Sequence, residues 1–508
     1  MARHARRTTV VLAVFLTSIL ELLAAPGQQA DFTPCDTIVY NVQAHRPDVR
    51  MPPPVVGRWL SSRCEIRPGP EFVIRDYTLF KNSTFVALQY MYADSACSAP
   101  SYVIISKGEY SFAQASWIVP GGTEVDYILQ QVFIMGYTDK SAELLYRNIN
   151  RTCAGIGKTK WLPGHLYEIF TFMEVPRQRG NNVDLMFLDK DCTTAINFAL
   201  HELQLMRVEE WTSRDSKVLT RKELFLGDVH TDMGLRKSYR PTGYQVSLRS
   251  AEDSDDSDAC RTIAKSDVMH PPVLVAAPVL SVQLEGTWVS GMCETQPHGM
   301  FVMRRMTFVR DGSTWRARYH FYADADCRRQ SYSVAAAGSY AFRAASRAIR
   351  GGERYDLLVA DVKVTPHDAT AVVNMNGEVG DDCATDGSWR LDVEQDVTST
   401  RGCATLGIAV PHVQADLVRL LPDDAGGTRL YVGRQPSDGR FRPTYRPTSF
   451  QLPLVQCKET PQTTRWSGKR TSDGVGSTSA DHGLVAISAL LTCYVLLATH
   501  ATLRAALT

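Results

Sequence analysis

The chain has 508 residues, 44% of them hydrophobic and 21% charged, an ordinary globular composition with room for two or three domains. A formal net charge of +1 excludes the global field that would draw nucleic acid or an acidic substrate to the surface.

The first 27 residues read as a secretory signal peptide. Arg3, Arg6 and Arg7 make a basic start, residues 10–20 an apolar run of signal length, and Ala24, Ala25 and Gly27 supply small residues for cleavage. The run is short for a membrane span, which disfavours a signal anchor. Residues 28–50 form an N-terminal extension.

From 51 to 249, short β-rich runs follow one another: FVIRDYTLF, TFVALQYMY, SYVIISKGEYSF and VDYILQQVFIM. Turn signals part them, and such spacing implies an antiparallel sandwich or barrel. CTTAINFALHELQLMRVEEW looks helical by propensity. Its partner further along carries Pro411 where Leu200 stands, and a continuous helix would not accept that proline. LQLMRVEE and KELFLGDV are therefore expected as closing strands. Residues 250–283 are acidic in SAEDSDDSDA and Pro-rich in HPPVLVAAP, which predicts an exposed, solvated linker.

Residues 284–457 write the first domain again. EGTWVSGMCE repeats VGRWLSSRCE, so Trp59 answers Trp288 and Cys64 answers Cys293. The match continues through Cys97 and Cys327, Gly108 and Gly338, Cys153 and Cys383, Cys192 and Cys403, and both copies close with YRPT. This is one domain duplicated in tandem, and two copies are too few for a solenoid. In TWRARYHFY, Trp315, Ala317, Tyr319 and Phe321 alternate with Arg316, Arg318 and His320, a strand with one buried and one wet face. The first-copy counterpart is apolar on both faces, with Phe85, Ala87 and Met91 on one and Val86, Leu88, Tyr90 and Tyr92 on the other. The second copy thus reads as filled inside and solvated outside. The first reads as less filled inside and covered outside. Gly-x-Trp at the first strand resembles the lipocalin start, where the tryptophan seals one end of a barrel. Trp59 and Trp288 fit equally well as plain core plugs. The fold class expected is all-β, a tandem duplication of an antiparallel, lipocalin-like β-barrel, each of about eight strands.

A polar stalk spans 458–483, and the segment 484–508 carries a terminal apolar run. It suits either a single transmembrane span or a glycolipid-anchor signal. Either tether places the body of the protein outside the cell, at the plasma membrane. NST at Asn82 and NRT at Asn150 are N-glycosylation acceptors in that setting.

There are twelve cysteines and no C-x-x-C pair, so disulfides are a better reading than structural zinc. Requiring one pattern in both copies leaves few of the possible pairings, and the set expected among them is Cys64–Cys97 with Cys293–Cys327, and Cys153–Cys192 with Cys383–Cys403. Cys35, Cys260 and Cys457 remain, as one pair and one free or intermolecular thiol. Nothing in the sequence carries catalysis. HELQL at His201 lacks a second histidine of a zinc protease, no G-x-S-x-G occurs, and His201 and His412 match in position without close companion ligands. No enzyme activity, cofactor or metal is expected.

GRWLSSRCEIRPGPEFVIRDY, NFALHELQLMRVEE, ELFLGDVHTD, GRQPSDG and YRPTSFQLPLVQC closely resemble the adenomatosis polyposis coli down-regulated 1 family, in order through both copies. The resemblance implies a cell-surface glycoprotein that inhibits Wnt signalling. It implies lipidated Wnt proteins as partners, together with a Wnt co-receptor of the LDL-receptor-related class, and two apposed β-barrels with an apolar pocket for the Wnt palmitoleoyl group. A homodimer is a further expectation, and nucleic acid is not. An extracellular lipid-binding carrier or adhesion protein without a signalling role is the alternative. The less bulky interior and the doubly apolar strand place the lipid in the first barrel, with Trp59, Phe72, Ile74, Phe85, Ala87, Met91, Ile104 and Trp117 as its lining.

Overall fold

The computed structural model describes residues 33–457, apart from 154–155, 157–159, 180–181, 213–218, 311–312, 378–382, 384–387, 423–426 and 440–441. The signal peptide, the polar stalk and the terminal apolar segment lie outside the described residues. Among the described residues no helix is long and apolar enough to cross a membrane.

Each copy closes into an eight-stranded antiparallel ring. The first uses Gly57–Ser61, Glu71–Leu79, Thr84–Tyr92, Pro100–Ala115, Thr123–Gly136, Leu205–Thr212, Leu219–Leu226 and Leu248–Ser250. The second uses Gly286–Ser290, Met300–Phe308, Thr314–Tyr322, Gln330–Ala345, Gly352–Pro366, His412–Pro422, Thr428–Val432 and Leu454–Gln456. Closure leaves no open sheet edge in either ring. The helical propensity around residue 200 is spent on short 3₁₀ turns, Thr193–Ile196 and His201–Gln204, before the closing strands begin.

The copies share their geometry down to single atoms. Both first-strand tryptophans are buried, and each indole N–H donates to a backbone oxygen four residues earlier, Trp59 to Val55 and Trp288 to Leu284, both at 2.7 Å. The long strand kinks at one matched register shift in each barrel. There a Cβ on Gly108 would stand 2.1 Å from the Ile128 oxygen, and one on Gly338 1.8 Å from the Leu358 oxygen, so both positions require glycine. A buried Ser–Glu–Arg network also recurs. Ser61 Oγ donates to Glu65 at 2.6 Å and Arg75 Nε to the same carboxylate at 3.0 Å; Ser290 and Arg304 do the same to Glu294 at 2.6 and 2.9 Å.

Among the described residues five disulfides are present, Cys64–Cys97, Cys153–Cys192, Cys293–Cys327, Cys383–Cys403 and Cys35–Cys457, while Cys260 is a buried thiol. Such density fits an oxidising, extracellular compartment.

The segment 250–283 corrects the expectation of a solvated linker. Glu252 and Asp258 of its acidic half are exposed, but Asp258–Ala264 is a helix whose Cys260 and Ile263, one turn apart, are fully buried. Ile263 packs with Leu60, Ile74 and Tyr90 on the outside of the first barrel, Cys260 Sγ lies 3.8 Å from the Ser61 oxygen, and Tyr92 donates to the Pro272 oxygen at 2.5 Å. Part of the cover over the doubly apolar strand is therefore this segment of the chain itself. A second helix, Pro34–Ala44, is N-capped by Thr33 and lies against the second barrel, tied by Cys35–Cys457, by Asp36 to Arg305 at 2.6 Å and by Gln43 to the Cys327 oxygen at 2.9 Å. The two helices share Cys-x-Thr-Ile, at residues 35–38 and 260–263. The extension and the linker are thus copies of each other, each placed on the barrel that the chain order leaves for it.

The barrels meet through a pseudo-twofold contact. Ile349 and Leu417 of the second copy join Phe72, Ile74 and Tyr92 of the first. Val119 and Leu205 of the first join Phe301, Met303 and Tyr322 of the second.

Candidate ligand cavity

The interiors of the two barrels differ because of a few side chains at matched places. In the first, Tyr77 and Gln89 point inward. Gln89 donates to the Tyr77 hydroxyl at 2.6 Å, Tyr77 donates to Glu202, and Arg67 reaches the same carboxylate at 2.7 Å. Burial works against that charge, but Arg67 and Arg75 hold the Glu202 carboxyl below its ordinary range. This network occupies one end. Helix Asp139–Thr152 brings Ala142, Leu145 and Ile149 to the same core, which also holds Phe85, Ala87, Ile104 and Phe198.

In the second barrel Met306 stands for Tyr77 and Tyr319 for Gln89. The polar network is absent at those two positions, and a cavity of about 350 Å³ runs into the interior. Its deep wall is apolar, made by Met306, Trp315, Val334, Leu357, Val359 and Val362. The Trp315 N–H is satisfied by the Ser339 and Leu358 oxygens at 3.1 and 3.2 Å, so only the carbon face of the indole serves the cavity. Phe321 and Tyr332 stack at 4.5 Å along one side. Polar groups gather elsewhere on the lining, among them Arg304, Gln414, Asp416 and Arg434. Asp416 Oδ1 accepts from the backbone N–H of Leu417 at 2.7 Å and of Gly433 at 2.8 Å. Burial nevertheless pushes its carboxyl up to about 7. Volume and lining match a small-molecule site, which typically spans roughly 300–1,000 Å³ with a few polar groups in an apolar wall.

The residues expected from sequence to line a lipid site divide three ways. Trp59, Phe85, Ala87 and Ile104 do meet in the first-barrel core, and Met91 is half-buried on the same side of its strand as Ala87. Phe72 and Ile74 face outward, toward the linker helix and the second barrel. The strand is buried on both faces, so alternation of apolar residues carries no phase. Trp117 is 79% exposed in the turn after the long strand and lines nothing in the interior. The expectation of a filled second barrel is also corrected. Bulky Trp315, Tyr319 and Phe321 stand at the wall of its cavity and leave the centre open. Sequence reasoning missed Val334, Leu357, Val359 and Val362; the last three stand in the apolar alternation of ERYDLLVADVKV, which was the available signal.

Of the other sites, Asn82 is exposed at a hairpin turn, where its Oδ1 accepts from Thr84 Oγ1 at 2.8 Å, and Asn150 is half-buried in the last turn of its helix. His201 bonds Tyr127 at 3.0 Å and the Lys237 oxygen at 2.8 Å. Among the described residues no group of His, Cys, Asp and Glu could hold a metal ion.

A solved structure, that of Aeromonas veronii immune modulator A, is similar at 9% identity over 83% of this chain and 99% of that one, with a TM-score of 0.15, too low to mark a shared fold. The family model described as adenomatosis polyposis coli down-regulated 1 matches twice, over residues 34–275 and 276–466, one match over each barrel. The chain therefore belongs to the adenomatosis polyposis coli down-regulated 1 family, regulators of Wnt signalling.

Proposed function

We propose that the protein is a cell-surface inhibitor that binds a Wnt by taking its palmitoleoyl group into the second barrel. The observation that carries this reading is the cavity: about 350 Å³, apolar at depth and polar over part of its lining. An acyl chain offers only CH₂ groups, so it is held by area removed from water and not by hydrogen bonds. About a dozen buried methylenes at ~0.8 kcal/mol each come to roughly 10 kcal/mol before association costs of several kcal/mol. A Wnt must show its lipid to a receptor, and a protein that buries the lipid blocks signalling without catalysis. Tethering at the membrane raises the inhibitor's effective concentration near that receptor.

The test is the affinity for a lipidated Wnt against the same Wnt unacylated. The reading requires a loss of at least a hundredfold on removing the lipid. Equal affinities overturn it. A Wnt reporter assay then separates an inhibitor from a lipid carrier, which would bind the acyl chain and leave signalling unchanged.

A further inference from the structure

The pseudo-twofold contact between the barrels supplies an internal comparison. Arg207 on the first closing strand and Arg419 on the second occupy matched places: Arg207 pairs across the strands with Phe225, Arg419 with Tyr431 and Gly352. Both arginines are buried, at 5% and 8% exposure. Arg207 meets carboxylates, Glu209 at 2.9 Å and Asp326 at 4.0 Å. At the positions matched to these acids the Arg419 side has Leu421 and Ala96.

What gathers around Arg419 instead is more positive charge. Arg63, from the first barrel, stands where the other junction has Met292. It donates to the Tyr431 hydroxyl at 2.8 Å, with its guanidinium 5.4 Å from the ring centre. Arg350 stands where the other junction has Pro120, and its backbone N–H is fixed to Ser95 Oγ at 2.9 Å. Among the described residues no carboxylate lies within ion-pair distance of Arg63, Arg350 or Arg419, and Arg419 Nε is buried without a hydrogen-bond partner. Burial, together with the positive charge of Arg350, holds the Arg419 guanidinium below its ordinary pKa. Three guanidiniums brought together across a domain contact repel one another unless an anion is bound among them.

We infer that Arg63, Arg350 and Arg419, set around Tyr431 at the junction of the barrels, form a binding site for a tetrahedral oxyanion, a sulfate or phosphate group. Guanidinium forks match the oxygens of such a group in geometry and charge. Arg350 is exposed, so the site opens to solvent and accepts either a free ion or a group carried on a larger molecule. Because Arg63 comes from one barrel and the other two arginines from the second, the anion holds the barrels together.

The experiment compares thermal unfolding of the full chain in sodium sulfate and in sodium chloride at equal ionic strength. Sulfate stabilises proteins generally by exclusion from their surface, so the diagnostic quantity is the part of the shift that variants remove. At tenfold excess over its Kd the bound ion should raise Tm by roughly 2 °C. Arg350→Ala, at the surface, should lose most of that increment. Leu421→Glu supplies the carboxylate that Glu209 gives the other junction. It should raise Tm in chloride and cancel the specific response to sulfate. Equal sulfate shifts in the parent, Arg350→Ala and Leu421→Glu would overturn the site. A heparin-derived oligosaccharide that reproduces the Arg350-dependent shift identifies the anion as a polysaccharide sulfo group; a response to inorganic sulfate and phosphate alone identifies a free ion.

Discussion

Replacing Ala336 by Trp should close the second-barrel cavity. Ala336 lies on the wall between Ala317 and Val362 on the neighbouring strands, and its methyl borders the open space. At roughly 30 Å³ for each water-sized group, 350 Å³ holds about a dozen such groups. An indole in place of the methyl takes up roughly half of them, leaving room for about six methylenes. Six lost methylenes at ~0.8 kcal/mol each cost a bound acyl chain about 5 kcal/mol, a thousandfold or more in Kd. The indole fills space already present, so stability should change little. The same change at the matched depth of the other barrel, Ala87→Trp, meets a packed core instead, where Ala87 is 1% exposed. There it should cost about 1–3 kcal/mol or more of folding stability. Affinity for an acylated Wnt, measured beside thermal unfolding for both variants, checks the pair. If Ala336→Trp folds normally, is shown to have lost its cavity, and still binds the acylated ligand as the parent does, the acyl chain does not enter this barrel.

Three further outcomes are expected. Asp416 has its carboxyl raised to about 7, so the folded state favours the protonated form. Its contribution is fully present below the ordinary carboxyl range and is lost as pH rises toward 7, at up to ~1.4 kcal/mol per pH unit; urea unfolding of Asp416→Asn between pH 4 and 8 should show that slope reduced. Arg304→Met leaves Glu294 buried without its cation and should cost about 3–5 kcal/mol, much of it restored when Glu294 is also made apolar, as chemical denaturation of the single and double variants will show. Cys35→Ser removes the bond to Cys457 and should cost about 2–5 kcal/mol, with faster proteolysis near residues 45–50 as the helix detaches.

How far the sequence could be read depended on whether a residue's neighbours were recorded in the repeat. Trp59 and Trp288, Gly108 and Gly338, and the paired cysteines were visible because each does one job twice. Pro411 told strand from helix at Leu200 for the same reason. Phase within a strand was visible only where one face is wet: TWRARYHFY gave its inner face at once, whereas Phe72 and Ile74 sit in a strand buried on both sides. Cavity position was not legible, since it turns on the difference between filled and lined. Met306 and Tyr319 are large, yet they replace Tyr77 and Gln89, which with Glu202 and Arg67 form a polar plug joined across distant strands. The linker was misread because its acidic composition outweighed two buried residues, Cys260 and Ile263, one helical turn apart.

The Cys35–Cys457 bond holds its two Cα atoms 5.1 Å apart although 422 residues separate them. The described chain is thus closed into a covalent loop, and the helix at its start occupies on the second barrel the place that the helix of 258–264 occupies on the first. Taken as a ring, the molecule is barrel, helix, barrel, helix, with no privileged beginning. A circular permutant opened in the Pro-rich stretch at 271–278 and joined by a short loop between residues 33 and 457 would present each helix directly after the barrel it covers, in the order of two side-by-side copies of one ancestral unit.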